Sequence, residues 1–416
     1  MAGRFVLFRM SLVFAFLAGS SAWGTIIGDP LDGTQNTSSP ANFAYWNNIG
    51  YVPFGATGVG GTGMYLGGDW VLTAAHVQGG SNGGYTFVVP KLNGGIDGVF
   101  TPQFASQVQL SLVGVGGSDL TLFKLNDDPL LHALPQMQFG ATPAVGTNVT
   151  VIGSGYNRDS TLHYWKLTGS TQPDSATWTD ITGSPNAKNI AQRSGYFYAA
   201  QPSFAKRWGT NMTVTVPGGG ATFTFNNTQL FATLFDSGIA NESQLAPGDS
   251  GGGVFAGNRL IGLNLYKGDD SKDPANPNNV GQPANTAVFG NASFYANLND
   301  YVNQIASITK LHPSIDGDAN LDGIVDRADF AILNANYKTG STWTQGDFNL
   351  DGQVNFADFQ ALELNFGGDA NSVITQSEIN AISGATGVPE PGTVGVLALA
   401  ATACLMRRRR NRSNCV

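Results

Sequence analysis

Short apolar stretches separated by glycine-rich turns run through most of the chain, which has 55 glycines in 416 residues. Residues 63–77 form an apolar stretch, a Gly-Gly-Asp turn and a second apolar stretch that ends near His76. This pattern predicts two short antiparallel strands. Further strands are predicted after Asp119, where apolar and polar residues alternate, and at 146–155 and 260–268. The chain is therefore predicted to be mainly β.

Helical spacing of apolar residues occurs towards the C-terminal end. Residues 294–305 carry apolar side chains at a spacing that suits an amphipathic helix. Two later segments each have apolar residues at positions i, i+3 and i+7, which predicts one helix in each: Phe330, Leu333 and Tyr337, then Phe359, Leu362 and Phe366. A small α-helical module is therefore expected after the β region.

The N-terminal segment 1–24 has the pattern of a targeting sequence. Arg4 and Arg9 precede the apolar run 10–18, and small residues follow it. This order is typical of a secretory signal peptide. The alternative is a buried first helix. We expect the mature protein to be exported.

The C-terminal end carries a second apolar run, at 393–406, followed by a cluster of arginines at 407–412. The run is shorter than the roughly 20 residues of a membrane-spanning helix, but the arginines fit a cytoplasmic stop. With the Pro-Glu-Pro at 389–391, the segment 388–412 resembles the PEP-CTERM sorting signal of bacteria. The resemblance implies processing by an exosortase and delivery to the cell envelope or cell surface, with retention there or release. The alternative is an ordinary transmembrane anchor; residues 371–387 are interpreted as a linker.

Charge and cysteine content narrow the function classes. The formal net charge is −8, from 21 basic and 29 acidic residues. Seven of the basic residues but only one acidic residue, Glu390, lie in the two targeting ends, so the body of the protein is more acidic than the whole chain. This acidity argues against nucleic acid as a partner and suits calcium binding. Because both cysteines, Cys404 and Cys415, lie at the C-terminal end, no disulfide is expected in the exported body.

Three segments carry residues that fit nucleophilic catalysis. They are TAAH, which ends at His76, GGSDL around Asp119, and GDSGG around Ser250. A serine hydroxyl becomes an effective nucleophile when an imidazole accepts its proton and a buried carboxylate orients that imidazole. The glycines beside the serine allow the main chain to turn its N–H groups towards a developing oxyanion.

These segments, in this order, resemble those of the chymotrypsin-like (trypsin-fold) serine peptidases, and the resemblance covers residues 26–308. It implies a double six-stranded antiparallel β-barrel, with His76 as general base, Asp119 as the orienting carboxylate and Ser250 as the nucleophile. The backbone N–H groups of Gly248 and Ser250 would form the oxyanion hole. No cofactor is needed for this chemistry.

Departures from the family bear on the substrate. Gln244 stands six residues before the nucleophile, where trypsin-like members have aspartate, so strict cleavage after lysine or arginine is not expected. Leu265 and Tyr266 are the other candidates for the specificity pocket. The region of the second barrel is also longer than usual, and 156–235 is interpreted as inserted or lengthened loops.

The resemblance also suggests an activation route. Residues 24–28 are similar to the Ile-Val-Gly-Gly start of mature chains in the family, whose new N-terminal ammonium pairs with the aspartate beside the nucleophile. Processing before Ile26 or Ile27 would allow the same pairing with Asp249.

An Asp-rich sequence occurs twice, at 318–329 and 347–358. Each copy has oxygen-bearing residues at positions 1, 3, 5, 9 and 12 and glycine at position 6, the pattern with which one loop wraps Ca²⁺. Position 7 would offer its backbone carbonyl. The predicted ligands of the two sites are Asp318, Asn320, Asp322, Ile324, Asp326 and Asp329, then Asp347, Asn349, Asp351, Gln353, Asn355 and Asp358. The alternative is a pair of solvated turns.

Aspartate at position 12 of both loops resembles the dockerin type I repeat rather than the EF-hand. The resemblance implies a calcium-binding module at 314–370 and, because dockerins bind cohesin modules, a cohesin-like partner. However, positions 10 and 11 are Arg327-Ala328 and Phe356-Ala357 rather than the Ser-Thr pairs common in the family, which argues against a standard cohesin.

Together these patterns predict an exported serine endopeptidase that hydrolyses protein or peptide substrates through an acyl-enzyme and carries two Ca²⁺ ions in its C-terminal module. One alternative is a non-catalytic calcium-binding surface adhesion protein on a peptidase scaffold. Another is a peptidase with a single physiological substrate, which includes self-processing.

Overall fold

The computed structural model describes residues 26–27, 36–54, 58–77, 87–89, 98–112, 114–170, 172–198, 205–216, 218–268, 281–367, 374–375 and 379. The predicted signal peptide, the sorting segment 388–412 and most of the linker 371–387 lie outside these residues. Within the described part of the chain, no helix has both the length and the apolar character needed to cross a membrane.

Two seven-stranded antiparallel sheets make up most of the fold. After the two-residue strand β1 (Ile26–Ile27), the first sheet contains β2 (Ile49–Phe54), β3 (Gly58–Gly67), β4 (Trp70–Ala74), β5 (Phe87–Val89), β6 (Gly98–Phe100), β7 (Val108–Leu112) and β8 (Gly116–Lys124). Their order in the sheet is β6-β5-β2-β3-β4-β8-β7. Pro102, just after β6, pairs with Leu125, just after β8, so the sheet curls back on itself.

The remaining elements follow in chain order. They are α1 (Pro129–His132), β9 (Asn148–Gly153), β10 (His163–Thr168), β11 (Thr177–Asp180), α2 (Ala187–Ile190), β12 (Arg193–Phe197), β13 (Arg207–Met212), β14 (Phe223–Phe225), β15 (Thr228–Leu234), β16 (Ser243–Gln244), β17 (Gly253–Ala256), β18 (Arg259–Gly268), β19 (Thr286–Val288), β20 (Ala292–Asn297), α3 (Val302–Thr309), α4 (Arg327–Asn336) and α5 (Phe356–Asn365).

The second sheet has the order β13-β9-β17-β18-β20-β15-β14. Thr213, just after β13, pairs with Thr233 on β15. Six strands therefore close into a ring, and β14 stands outside the ring as one arm of the β14–β15 hairpin. The predicted mainly β antiparallel fold is confirmed. Each sheet has seven strands where the resemblance implied six, and in the second sheet the additional strand is β14.

The turn between β3 and β4 determines where the first candidate site residue lies. Gly67, Gly68 and Asp69 have φ angles of 115°, 53° and 69°, a region that glycine enters freely and aspartate tolerates. The turn sends β4 back along β3, and the buried Val71 and Leu72 hold it in the core. A short 3₁₀ turn directly after β4 then presents His76.

The segment 156–235 was predicted to form inserted or lengthened loops, but it contains strands. Its first part contributes β10, β11 and β12 to a four-stranded sheet of order β11-β10-β12-β19, and its second part supplies β13, β14 and β15 of the second sheet. Trp165 and Tyr196 are 0% and 2% exposed and give the small sheet an apolar interior of its own. These buried aromatic side chains stabilise strands that the Thr, Asn and Gly content did not indicate.

The helix predicted over 294–305 is also only partly correct. Residues up to Asn297 form strand β20, which lies between β15 and β18. The α-helix begins only at Val302. Ladder hydrogen bonds on both sides of β20 outweigh the helical spacing of its apolar residues, because tertiary context overrides local propensity.

A helix follows each of the two Asp-rich loops. Both helices begin with a capping box, in which the N-cap side chain and the third helical residue bond each other's backbone N–H groups: Asp326 with Asp329 in α4, and Asn355 with Asp358 in α5. The apolar faces of α4 and α5 belong to one buried cluster with the first sheet and α3. The two-loop segment therefore packs directly on the β region.

Candidate active site

His76 and Asp119 come together because they lie on neighbouring elements. Strand β4, which precedes His76, pairs with β8, which contains Asp119. The Nδ1 atom of His76 lies 2.6 Å from Oδ2 of Asp119, and the backbone N–H of His76 donates to Oδ1 at 2.9 Å. The imidazole is 43% exposed and the carboxylate 13% exposed. Because Nδ1 faces the carboxylate, Nε2 is the nitrogen that can accept a proton from a reacting group.

The environment of Asp119 keeps it ionised. Burial acts to raise the pKa of this carboxyl, but the hydrogen bonds and charge of His76 and the hydrogen bond from Tyr266 hold it below its usual range. The Tyr266 hydroxyl donates to Oδ2 at 2.7 Å. The backbone N–H of Asp119 donates to the Thr228 hydroxyl at 3.0 Å. The sequence did not indicate either contact of this aspartate.

The loop that carries Ser250 lies against the first sheet. The Thr62 N–H donates to the Ser250 carbonyl at 2.8 Å, and the Thr62 hydroxyl donates to the Gly248 carbonyl at 2.9 Å. A Cβ atom at Gly251 would lie 2.0 Å from the Thr62 carbonyl and 3.1 Å from the N atom of Ala74. Only glycine allows so close an approach, which brings the serine loop to the end of β4, next to His76.

The Ser250 hydroxyl points at the main chain in this conformation. Its Oγ donates to the Leu265 carbonyl at 3.4 Å, and within the described residues no hydrogen bond joins it to His76. Catalytic hydrogen bonds are often long in unliganded sites and tighten when substrate binds.

Two backbone N–H groups of this loop are available to a ligand. Gly248 has a φ of 93°, and the next N–H, that of Asp249, donates to the Ala246 carbonyl at 3.2 Å. Among the described residues, no acceptor receives the N–H groups of Gly248 or Ser250. These are the two groups predicted to form the oxyanion hole, and their geometry is compatible with that role.

Asp249 lies in the interior and is fully buried. Its Oδ2 accepts from the Ala246 N–H at 3.0 Å. Burial lowers the pKa of the nearby Arg207, and the charge of Asp249 acts in the opposite direction. Strand β1 pairs Ile26 with Gln244, so the predicted mature N-terminus lies beside the strand that leads to Asp249. The chain before Ile26 is outside the described residues.

The three candidate specificity residues have different surroundings. Gln244 is fully buried, and neither its Oε1 nor its Nε2 has a hydrogen-bond partner among the described residues. Leu265 is buried and offers its carbonyl to Ser250. Tyr266 contacts Asp119, and its ring stacks beside that of His76 with 6.1 Å between centroids. The structure therefore brings Tyr266 to the His76–Asp119 pair.

Both Asp-rich loops bury their first and last carboxylates, which are at most 1% exposed: Asp318 and Asp329, then Asp347 and Asp358. Burial raises the pKa of each of these four groups, while backbone N–H groups oppose that effect. Oδ1 of Asp318 is buried without a hydrogen-bond partner among the described residues. Buried carboxylates are costly unless a cation compensates them, so the loops fit a hard divalent ion.

The other predicted ligands lie at the surface of the loops or are half-buried: Asn320, Asp322, Ile324 and Asp326, then Asn349, Asp351, Gln353 and Asn355. The side chains at positions 3 and 5 bond each other in both loops, at 2.9 and 3.0 Å. Asp326 and Asn355 also cap the helices that follow. All of these residues belong to the same two loops and offer oxygen ligands.

No family model matches the chain, and no curated protein matches it. Among solved structures, it is similar to a mutant of human heparin binding protein (CAP37), at 14% identity and a TM-score of 0.39, over 66% of this chain and 94% of that one. It is also similar to neuropsin, a serine protease expressed in the limbic system of mouse brain, at 16% identity and a TM-score of 0.38, over 66% and 96% of the two chains. Both similarities are distant.

Proposed function

We propose that this protein is an exported serine endopeptidase. The observation that carries the proposal is the contact between Nδ1 of His76 and Oδ2 of Asp119 at 2.6 Å, beside the glycine-rich loop that bears Ser250. An imidazole that holds a carboxylate on one nitrogen and can accept the proton of a nearby serine on the other is the arrangement that activates a hydroxyl for acyl transfer.

The reaction follows from the roles of these groups. Oγ of Ser250 attacks the carbonyl carbon of the scissile peptide bond, and Nε2 of His76 accepts the hydroxyl proton. The N–H groups of Gly248 and Ser250 stabilise the oxyanion. His76 then gives its proton to the leaving amine, which leaves an acyl-enzyme on Ser250. Water activated by His76 hydrolyses this ester and regenerates the serine. Asp119 orients the imidazole and stabilises its positive charge throughout.

The substrate is a protein or peptide without a required basic side chain at the cleaved bond. Gln244 offers a neutral amide where a carboxylate would be needed to pair with lysine or arginine. Its Oε1 and Nε2 atoms are buried and lack partners among the described residues, so the amide could both donate to and accept from a polar group.

Two Ca²⁺ ions belong to the proposal, one in each Asp-rich loop, with the carboxylates Asp318, Asp329, Asp347 and Asp358 as their main ligands. The ions would neutralise these buried groups and hold α4 and α5 in place. The module contributes nothing to the acyl-transfer steps. A cohesin-like partner and processing of the C-terminal tail by an exosortase remain proposals from resemblance, as does location at the cell envelope or surface.

A non-catalytic adhesion protein on the same scaffold is the second candidate. The observation in its favour is that the Ser250 hydroxyl bonds to the Leu265 carbonyl rather than to His76.

Covalent labelling separates the two candidates. A fluorophosphonate probe should label the purified chain and fail to label Ser250→Ala, while the matched surface variant Ser175→Ala labels normally. Labelling should be tested on the full chain and on the chain that begins at Ile26, because the nucleophile could depend on processing. No labelling of either form would favour the adhesion protein.

A further inference from the structure

The carboxylate of Asp119 has a second support besides His76. Its Oδ2 receives the Tyr266 hydroxyl at 2.7 Å as well as Nδ1 of His76 at 2.6 Å. Its Oδ1 receives the His76 backbone N–H at 2.9 Å. The Tyr266 bond is therefore the only one of these three that does not come from His76, and it is the side-chain bond to the carboxylate that does not depend on the charge of the imidazole.

Tyr266 is itself held in place by the β14–β15 hairpin, whose β14 arm lies outside the closed ring of the second sheet. The ring of Phe225, the last residue of β14, meets the Tyr266 ring edge to face, with 5.9 Å between centroids. The Asn226 side chain acts on the Tyr266 hydroxyl and opposes the rise in its pKa. Two residues on, the Thr228 hydroxyl receives the backbone N–H of Asp119 at 3.0 Å. The tip of this hairpin thus touches both partners of the bond.

Two asparagines in the sequence explain the tight turn at the hairpin tip. Asn226 and Asn227 have φ angles of 45° and 57°, which gives the left-handed two-residue turn that suits a tight hairpin. This turn allows β14 to fold back on β15. The additional strand therefore ends at the active-site pair.

We propose that Tyr266, braced by the tip of the β14–β15 hairpin, is a positioning residue that fixes the Asp119 carboxylate and through it the orientation of His76. The proposal rests on the proposed peptidase function. Burial and the charge of Asp119 raise the pKa of Tyr266 well above its usual range, so the hydroxyl remains a donor at all working pH values. The titratable groups that act on Asp119 are His76 and Tyr266, and Tyr301 acts on Tyr266.

The test is Tyr266→Phe, which removes the hydroxyl and keeps the ring against His76 and Phe225. We expect kcat on a cleaved peptide to fall roughly tenfold with KM nearly unchanged, the effect of losing one hydrogen bond to a charged group. The acid limb of the pH profile of kcat should move to higher pH. Without the Tyr266 hydroxyl, Oδ2 of Asp119 carries more negative charge, which stabilises the protonated imidazole. Tyr164→Phe, on the small sheet, is the matched control and should leave kcat and the pH profile unchanged.

A second variant tests the inference in case Tyr266→Phe does not fold. Asn226→Gly keeps the left-handed turn and removes a side chain at the hairpin tip that acts on the Tyr266 hydroxyl; it should shift kcat and the acid limb in the same direction by roughly twofold. A folded Tyr266→Phe protein with the kinetics and pH profile of the wild type would overturn the inference. If Tyr266→Phe does not fold, an unchanged Asn226→Gly overturns it.

A readout without turnover separates this inference from the proposed function. The NMR signal of the proton between His76 and Asp119 should move in Tyr266→Phe and stay in place in Tyr164→Phe. If the wild type cleaves nothing but this signal moves, the peptidase function fails and the positioning contact stands. If the wild type cleaves peptides and neither the signal nor kcat changes in Tyr266→Phe, the positioning role is refuted and the peptidase function stands.

Discussion

Arg259 and Asp318 join the second sheet to the first Asp-rich loop: Nη1 of Arg259 lies 3.4 Å from Oδ2 of Asp318. The same Nη1 donates to the Phe139 carbonyl at 3.0 Å and to the Ser314 hydroxyl at 2.8 Å. Gly323 of the loop approaches the guanidinium so closely that a Cβ atom there would lie 2.5 Å from it. The two-loop module is thus attached to the β region by a charged contact as well as by shared apolar packing.

Arg259→Met should loosen this attachment. The substitution leaves the buried Asp318 without its cationic neighbour, and removing one partner of a largely buried pair costs roughly 2–4 kcal/mol. We expect thermal unfolding to show a lower midpoint, with the module melting before the sheets. The exposed Lys166→Met is the matched control. A melting curve identical to that of the wild type would show that the guanidinium does not hold the module.

Calcium should bind with a stoichiometry of two and stabilise the module. Calorimetric titration should fall from two ions to one in Asp347→Ala, because this variant removes the first carboxylate of the second loop only. Asp174→Ala, in the 3₁₀ turn between β10 and β11, should keep both. Chelation should lower the melting temperature and reduce the helical circular dichroism signal of the module. Helicity that does not respond to chelation would contradict metal-dependent folding.

Lys206 should make stability depend on pH. Its Nζ is buried and donates to the carbonyls of Trp46 and Ile49; burial lowers its pKa from 10.5 to about 7. Above about pH 7 the folded lysine has lost its proton, whereas the unfolded chain keeps it until about pH 10, so the free energy of unfolding rises with pH in this window.

Urea unfolding of the wild type and Lys206→Met measures this effect. The difference in unfolding free energy between the two should change by a few kcal/mol between about pH 7 and pH 10, in favour of the wild type at high pH. Lys166→Met, at an exposed position, should run parallel to the wild type. Parallel curves for Lys206→Met would mean that the amine does not lose its proton on folding.

We expect Gln244 to lower the free energy of unfolding and to contribute to substrate specificity. Its amide is buried without partners among the described residues, and replacing such a group by an apolar one of similar shape recovers about 1–3 kcal/mol. Gln244→Met should therefore raise the free energy of unfolding and change the residue preferred at the cleaved bond in a peptide library. Wild-type cleavage restricted to lysine and arginine would refute the assignment of a neutral pocket.

The sequence indicated the local features that depend on near neighbours. The Gly67–Asp69 turn, the strand that ends at His76 and the helices after the two Asp-rich loops all follow from residues within one short segment. Strand β20 did not, because its apolar residues also fit a helix and only pairing with β15 and β18 decides between the two.

The environment of the site depends on long-range contacts. Tyr266 is 147 residues from Asp119, and Thr228 is 109 residues from it. No spacing rule connects residues so far apart. The sequence suggested Tyr266 only as a residue of the specificity pocket, and its contact with Asp119 is visible only in the folded structure. The order of the three motifs, in contrast, was enough to name His76, Asp119 and Ser250 as candidates.

Peptide-bond hydrolysis by matched variants tests the central claim most directly. The account predicts that the purified protein cleaves members of a peptide library, that Ser250→Ala abolishes this activity, and that Asp119→Asn reduces kcat about 10⁴-fold by stabilising the wrong imidazole tautomer. Ser175→Ala should cleave at the wild-type rate. Cleavage that persists in Ser250→Ala, or no cleavage by the full chain or by the chain that begins at Ile26, would contradict it.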